Sequence, residues 1–414
     1  MSEKPSLLFI TPRYLIPADS GGKIRTSDIL RGLKGGVFSV TLASPAPAEA
    51  ANRDKAALAD LCDRFAPWPE PRRSPWFPLL RFAHLAGSLP VSVATDKSTP
   101  GRCLVADELA QSPAAVVVDF PHTAVLLPQA PNAATVMFTH NVETEIFRRH
   151  AEQTKGGLRR LIWQDQARKM ERFERGTLSR FDKVVAVSER DRAFFADAYG
   201  IDGAVAIPTG VDLDYFSAQP PRPLPGATGG TIVFTGSMDW RANIEGIEYF
   251  MEEVWSLITQ NRPQARFVLV GRNPPAALVE SVKKRNLNWD ITGFVDDVRP
   301  YVRDADVFVM PLRIGGGTRI KAFEAMAMAR PVVSTSLGVE GLPVEEGRHY
   351  WRGDDPEAFA AAVTGLLDDP SKAAELAANA RKLVEHNFSA SRVAAVFESI
   401  CAEAMRERAS QHKA

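Results

Sequence analysis

The chain has 414 residues, 45% of them hydrophobic and 24% charged, with 50 basic and 50 acidic side chains and a formal net charge of zero. That length exceeds one core and calls for two domains. The charge balance excludes a protein that holds nucleic acid through counterion release, and three scattered cysteines exclude a disulfide framework and a zinc spacing.

The N-terminus offers the strand-like run Leu7 to Ile10 and then Thr11-Pro12, with nothing resembling a secretory signal. No run approaches the roughly 20 apolar residues of a membrane span. Together with the cysteine usage this sets the expectation of a cytoplasmic protein. After the first strand, Ser20-Gly21-Gly22-Lys23 forms a glycine loop, with a helix expected from near Ile24. The spacing is not the dinucleotide fingerprint. An anion contact and an ordinary strand-to-helix turn fit this loop equally well. Further strands are expected at Val37 to Ala43, Ala115 to Val118, Thr135 to Phe138 and Val184 to Val187. Their hydrophobicity is continuous rather than alternating, which predicts a parallel sheet covered on both faces.

Between these strands, Arg72 to Phe82 mixes cations with aromatics and leucines, and residues 148–183 hold 11 basic against 5 acidic side chains. Such segments suit an anionic membrane face or a lipid-phosphate substrate. A solvated helix beside a core-facing aromatic loop fits them as well. His140 follows the strand Thr135 to Phe138, where ligands of open sheets bind. It is either a ligand contact or a packing histidine, and Glu143 either orients its ring or begins the next helix.

Residues 217–230 are rich in Pro and Gly and read as a linker. This divides the chain into residues 1–216, an acceptor-side domain, and 231–388, a nucleotide-binding domain. The helical stretch 389–414 is expected to pack back on the first. In the second half, strands are expected at Thr231 to Thr235, Arg266 to Val270, Val307 to Met310 and Pro331 to Ser334. Gly236 to Asn243 follows the first of them and includes Arg241, a candidate diphosphate contact. Ile291 to Val298 is a strand and then a turn, where a base could lie against backbone groups, though a generic turn between helix and strand fits it as well.

The strongest local signal is Gly315-Gly316-Gly317-Thr318-Arg319-Ile320-Lys321, between the strand Val307 to Met310 and a helix carrying Glu324. Free backbone amides, a helix dipole and two mobile cations converge there, which is the chemistry of a phosphate site. Glu324, one turn further, can accept hydrogen bonds from hydroxyls of the phosphate's carrier.

Taken in order, Val187-Ser188-Glu189, Pro208 to Asp212, Gly236 to Asn243, Gly293 to Asp296 and Gly315 to Ala327 resemble the retaining family 4 glycosyltransferases of the GT-B fold. The similarity runs from about residue 5 to 400. It is nearest the branch that includes sugar transferases of bacterial exopolysaccharide clusters. The resemblance implies two Rossmann-like domains facing a cleft, with a C-terminal helix crossing back. It also implies a UDP- or GDP-sugar donor, no metal, and a lipid-linked or polysaccharide acceptor at the inner face of the cytoplasmic membrane. Glu324 then binds the donor ribose, Val295 meets the base through its backbone, and Arg319 or Lys321 neutralises the diphosphate. Gly21 and Gly22 approach that diphosphate on domain closure, and His140 contacts the donor sugar. Two positions depart from the pattern: Gly316 stands where the family has a first Glu, and Asn243 about where it has a Lys. A sugar-nucleotide epimerase and a non-catalytic nucleotide-sugar sensor are the competing readings.

Overall fold

The computed structural model describes residues 4–70, 76–154, 156–218, 228–314 and 319–411. The chain divides into two compact units, residues 1–210 with 390–414, and residues 211–389.

In the first unit, strands β1 (Ser6–Ile10), β2 (Ser39–Ala46), β3 (Arg64–Pro69), β4 (Ala115–Asp119), β5 (Ala134–Phe138), β6 (Lys183–Ala186) and β7 (Ala204–Ala206) form one sheet. Its order is β3-β2-β1-β4-β5-β6-β7, and every pairing is parallel. Alternate residues of each buried run feed opposite faces. Leu7, Phe9, Val117 and Phe138 join one apolar cluster, and Leu8, Ile10, Val116, Val118 and Met137 join the other. Continuous hydrophobicity in sequence thus becomes two-sided burial in space.

The second unit repeats the plan with β8 (Thr231–Thr235), β9 (Arg266–Val270), β10 (Trp289–Gly293), β11 (Val307–Met310), β12 (Val332–Ser334) and β13 (Trp351–Arg352). The order is β10-β9-β8-β11-β12-β13, again parallel throughout. Phe250, Trp255, Phe267 and Trp289 pack together on this sheet, the closest ring centroids 4.3 Å apart.

Sequence and structure differ at one functional boundary. The helix after β1 spans Gly21–Leu33, so Gly21 and Gly22 are its first residues rather than a loop before Ile24. Ser20 is extended, and the Ile24 N–H donates to its carbonyl at 2.9 Å to close the first turn. The expected linker falls mostly on residues 219–227, outside the described residues.

The helix Ala390–Gln411 belongs to the first unit. Phe397 lies wholly buried on it, its ring 5.1 Å from that of Phe138 in an edge-on contact and 6.4 Å from that of Phe9. Lys183 ties the outer end through Glu403 at 2.9 Å and Glu407 at 3.0 Å. Truncation of Phe397 empties the space between two aromatic strands. Phe397→Ala is expected to cost about 3–5 kcal/mol, read as a lower urea midpoint for the first unit while the transition of the second is unchanged.

Candidate functional site

The order of both sheets reverses beside their first strand, at β1/β4 and at β8/β11. Crossovers diverge at such a point and leave the carboxyl ends of the two strands open. In the second unit, Lys321 sits there, second in the helix Ile320–Ala327 that follows β11. Its ammonium donates to Asn243 Oδ1 at 2.9 Å and stands 4.3 Å from the centroid of the Phe234 ring. Asn243 is held in turn by its Nδ2 donating to the Ser237 carbonyl at 2.8 Å. A Cβ at Gly236 would lie 2.6 Å from the Lys321 nitrogen and 2.8 Å from Asn243 Nδ2, and its φ of +156° favours glycine there.

Burial lowers the Lys321 pKa to about 7; the Glu324 charge opposes this and the Arg319 charge adds to it. The departure at Asn243 now has a physical sense. A second ammonium at that position would face the first, whereas a neutral amide oxygen accepts from it. Arg319 is buried just before the helix, and Glu324 is half-buried one turn in. The Glu324 charge also raises the Tyr215 hydroxyl pKa, behind burial and Asp297.

Gly236, Arg319, Lys321 and Glu324 are therefore neighbours of one cation site. Arg241 is exposed at the start of the helix Arg241–Tyr249 and is not part of the Lys321–Asn243 contact. Val295 is half-buried against the core after β10, beside Phe294, which is 71% exposed. Gly315, Gly316, Gly317 and Thr318 lie outside the described residues.

In the first unit, His140 is buried just beyond β5. Its Nε2 lies 2.6 Å from Asp119 Oδ1, and Asp119 Oδ2 accepts from the hydroxyls of Thr11 and Thr26, each at 3.0 Å. The imidazole stacks on Phe120 at 4.0 Å with an interplanar angle of 11°. Phe120 has φ 64° and ψ 138°, a region that costs a bulky residue of order 1–3 kcal/mol and recurs at functional sites. Gly22 permits this stack, because a Cβ there would lie 2.9 Å from Phe120 Cζ.

Arg25, on the same helix as Gly22, is buried with Nη2 donating to the Ile207 carbonyl at 2.8 Å. Burial lowers its pKa to about 9 against the opposing charges of Asp191 and Asp119. The sequence reading did not single out Asp119, Thr11, Thr26, Phe120 or Arg25. An acid closing the buried run Ala115–Asp119 was the available signal. Glu143 does not orient His140: it begins the helix Glu143–Gln153, and its carboxylate lies 3.5 Å from His122. Among the described residues, no group of three or more His, Cys, Asp or Glu is placed to hold a metal ion.

Two family models match the chain, one in each half. Residues 20–215 match the family described as Glycosyltransferase Family 4, and residues 229–369 match Glycosyl transferases group 1. The phosphatidyl-myo-inositol mannosyltransferase of Mycolicibacterium smegmatis is 29% identical over 234 residues, 55% of this chain and 59% of that protein. An uncharacterized 44.6 kDa protein in the cps region of Klebsiella pneumoniae is 26% identical over 179 residues, 42% of this chain and 45% of that protein. The chain thus spans about half the length of the curated relatives it matches. HepE of Anabaena, solved in complex with UDP and glucose, superposes with a TM-score of 0.65 at 15% identity, covering 96% of this chain and 99% of that one.

The lowered pKa of Lys321 has a thermodynamic consequence. Above about pH 7 the folded chain has released this proton, whereas the unfolded lysine keeps it to its ordinary value of about 10.4. The unfolded state therefore binds more protons, and the contribution of this group to stability rises with pH across that window. Relative to Lys321→Met, the wild-type second unit is expected to gain roughly 1 kcal/mol per pH unit between about pH 7.5 and 9.5. Urea unfolding across that range measures it.

Proposed function

We propose, for a chain that belongs to the glycosyltransferases of the two-domain GT-B fold, that it moves a hexosyl group from a nucleoside-diphosphate sugar to a hydroxyl of a lipid-linked or polysaccharide acceptor. One observation carries this reading: the Lys321 ammonium, half-buried at the open ends of β8 and β11, has an uncharged amide as its hydrogen-bond partner. A diphosphate would add negative charge beside Lys321 to that of Glu324, and would take hydrogen bonds that the neutral amide cannot match. Arg319 adds a second cation, and the start of the helix Ile320–Ala327 adds oriented amides.

These groups stabilise the charge that builds on the departing diphosphate as the anomeric carbon–oxygen bond breaks. The acceptor oxygen forms its bond on the same face, with retention, and its proton passes to the leaving phosphate oxygen. No protein base and no metal are then required. Glu324 accepts from the donor ribose, and the backbone at Val295 meets a uracil or guanine base. UDP is the ligand of HepE, and mannosyl transfer to a phosphatidylinositol is the activity named for the mycobacterial relative.

The acceptor reading includes a peripheral membrane contact. Trp76, Phe82, Leu158 and Leu161 are 61–74% exposed. The helix Gly157–Leu178 that carries the two leucines is tied to the segment after Phe82 by Lys169, whose ammonium donates to the Leu85 carbonyl at 2.7 Å. Several of the basic residues are already paired, among them Arg148 with Glu171 and Lys169 with Asp165. Apolar insertion therefore contributes more here than net charge does. Cosedimentation with vesicles containing anionic lipid is expected, and Leu158→Gln with Leu161→Gln should weaken it several-fold; unchanged binding would remove this contact.

The decisive assay is nucleotide release from UDP-, GDP- and ADP-sugars, with and without a membrane lipid extract. Acceptor-stimulated release from one donor is expected, undiminished by EDTA and lowered on the order of 10²–10³-fold by Lys321→Ala, with a loss also for Glu324→Ala. Donor returned intact with every acceptor, or converted to an isomer without free nucleotide, would overturn the proposal.

A further inference from the structure

We infer that Asp119 is a positioning residue: it holds His140 as the Nε2–H tautomer and so presents Nδ1 as a hydrogen-bond acceptor for a hydroxyl of the bound sugar. The inference rests on the glycosyltransferase reading above and adds the residue that sets the chemistry of the histidine.

The tautomer follows from donor and acceptor accounting. An ionised carboxylate only accepts. Oδ2 of Asp119 takes two threonine hydroxyls, and Oδ1 lies 2.6 Å from Nε2, a distance suited to a charge-assisted bond. The proton of that bond must come from the imidazole. The Thr26 hydroxyl, 3.5 Å from Nε2, has given its own proton to Asp119 and shows the ring a lone pair. Both neighbours therefore favour hydrogen on Nε2, which leaves the lone pair on Nδ1.

The ring cannot turn to exchange its nitrogens cheaply. Phe120 stacks on it at 4.0 Å, and Phe138 stands 4.6 Å away at 51°. Nδ1 faces the first turn of the helix Gly21–Leu33, where a Cβ at Gly22 would lie 3.9 Å from it. Glycine keeps that approach open. The amides of this first turn have no acceptor within the helix, so Nδ1 is an acceptor set beside donors. A hydroxyl that both gives and receives a hydrogen bond suits that pairing.

The test is nitrogen-15 NMR of the imidazoles in the full-length protein, with His140 assigned through His140→Gln. The expected result is a single Nε2–H tautomer in the wild type. UDP-glucose or GDP-mannose should shift Nδ1, and UDP or GDP alone should not. Asp119→Asn should mix the tautomers and lower kcat about tenfold or more, with a smaller change in KM. Thr26→Val should keep the tautomer, because Oδ1 is untouched. A wild-type proton on Nδ1, or an Asp119→Asn protein with unchanged tautomer and kcat, would overturn the inference. Turnover of donor with an unmoved Nδ1 resonance would overturn it alone. Failure of every nucleotide sugar to bind would instead bring down the function on which it rests.

Discussion

Parallel strands cannot be joined by tight turns; every neighbour must be reached by a crossover that covers one face of the sheet. From this constraint the rest of the molecule follows. A sheet that starts in its middle, grows one way and then the other, must reverse beside its first strand, and the loops there part company. Both units obey it, at β1/β4 and β8/β11. The polar clusters of each unit gather at those strand ends: Thr11, Asp119 and the helix from Gly21 in one, Gly236 and Lys321 in the other.

The two reversal points carry opposite charge plans. In the first unit a fully buried carboxylate is surrounded by two hydroxyls and an imidazole. In the second unit a half-buried lysine has an amide oxygen as its partner, with Glu324 and Arg319 close enough to shift its pKa. One architecture thus holds two different polar arrangements, and the difference lies in a handful of side chains.

How much of this was legible depends on where each element lies. Strands β8, β9 and β11 stand at the bounds read from sequence, because each is an unbroken apolar run in the middle of its sheet. Strands β3, β7 and β13 escaped notice, and all three are edges. An edge strand pairs on one side only, so β3 tolerates Pro67 and Pro69 and alternates in burial. The site shows the same divide. His140 and Gly236 could be singled out because each stands just past an apolar run, and Lys321 because three glycines and a second cation precede it. Asp119 was hidden as the last residue of such a run, and its hydroxyl partners come from Thr11 and Thr26, more than 90 positions away. The start of the helix at Gly21 was missed because two glycines read as a loop; the demand for Gly22 comes from Phe120, which no local pattern announces.

The second unit is an insertion in the first. The chain leaves at Gly210 and returns at Ala390, and at the base of the insertion the Val211 N–H donates to the Phe388 carbonyl at 2.7 Å. Biosynthesis must respect that arrangement. The sheet of the first unit emerges from the ribosome long before the helix Ala390–Gln411 that covers Phe9 and Phe138. Until that helix has emerged, Phe9 and Phe138 lack the cover that Phe397 gives them. The inserted unit, whose ends already meet, can fold while the first still waits for the helix Ala390–Gln411.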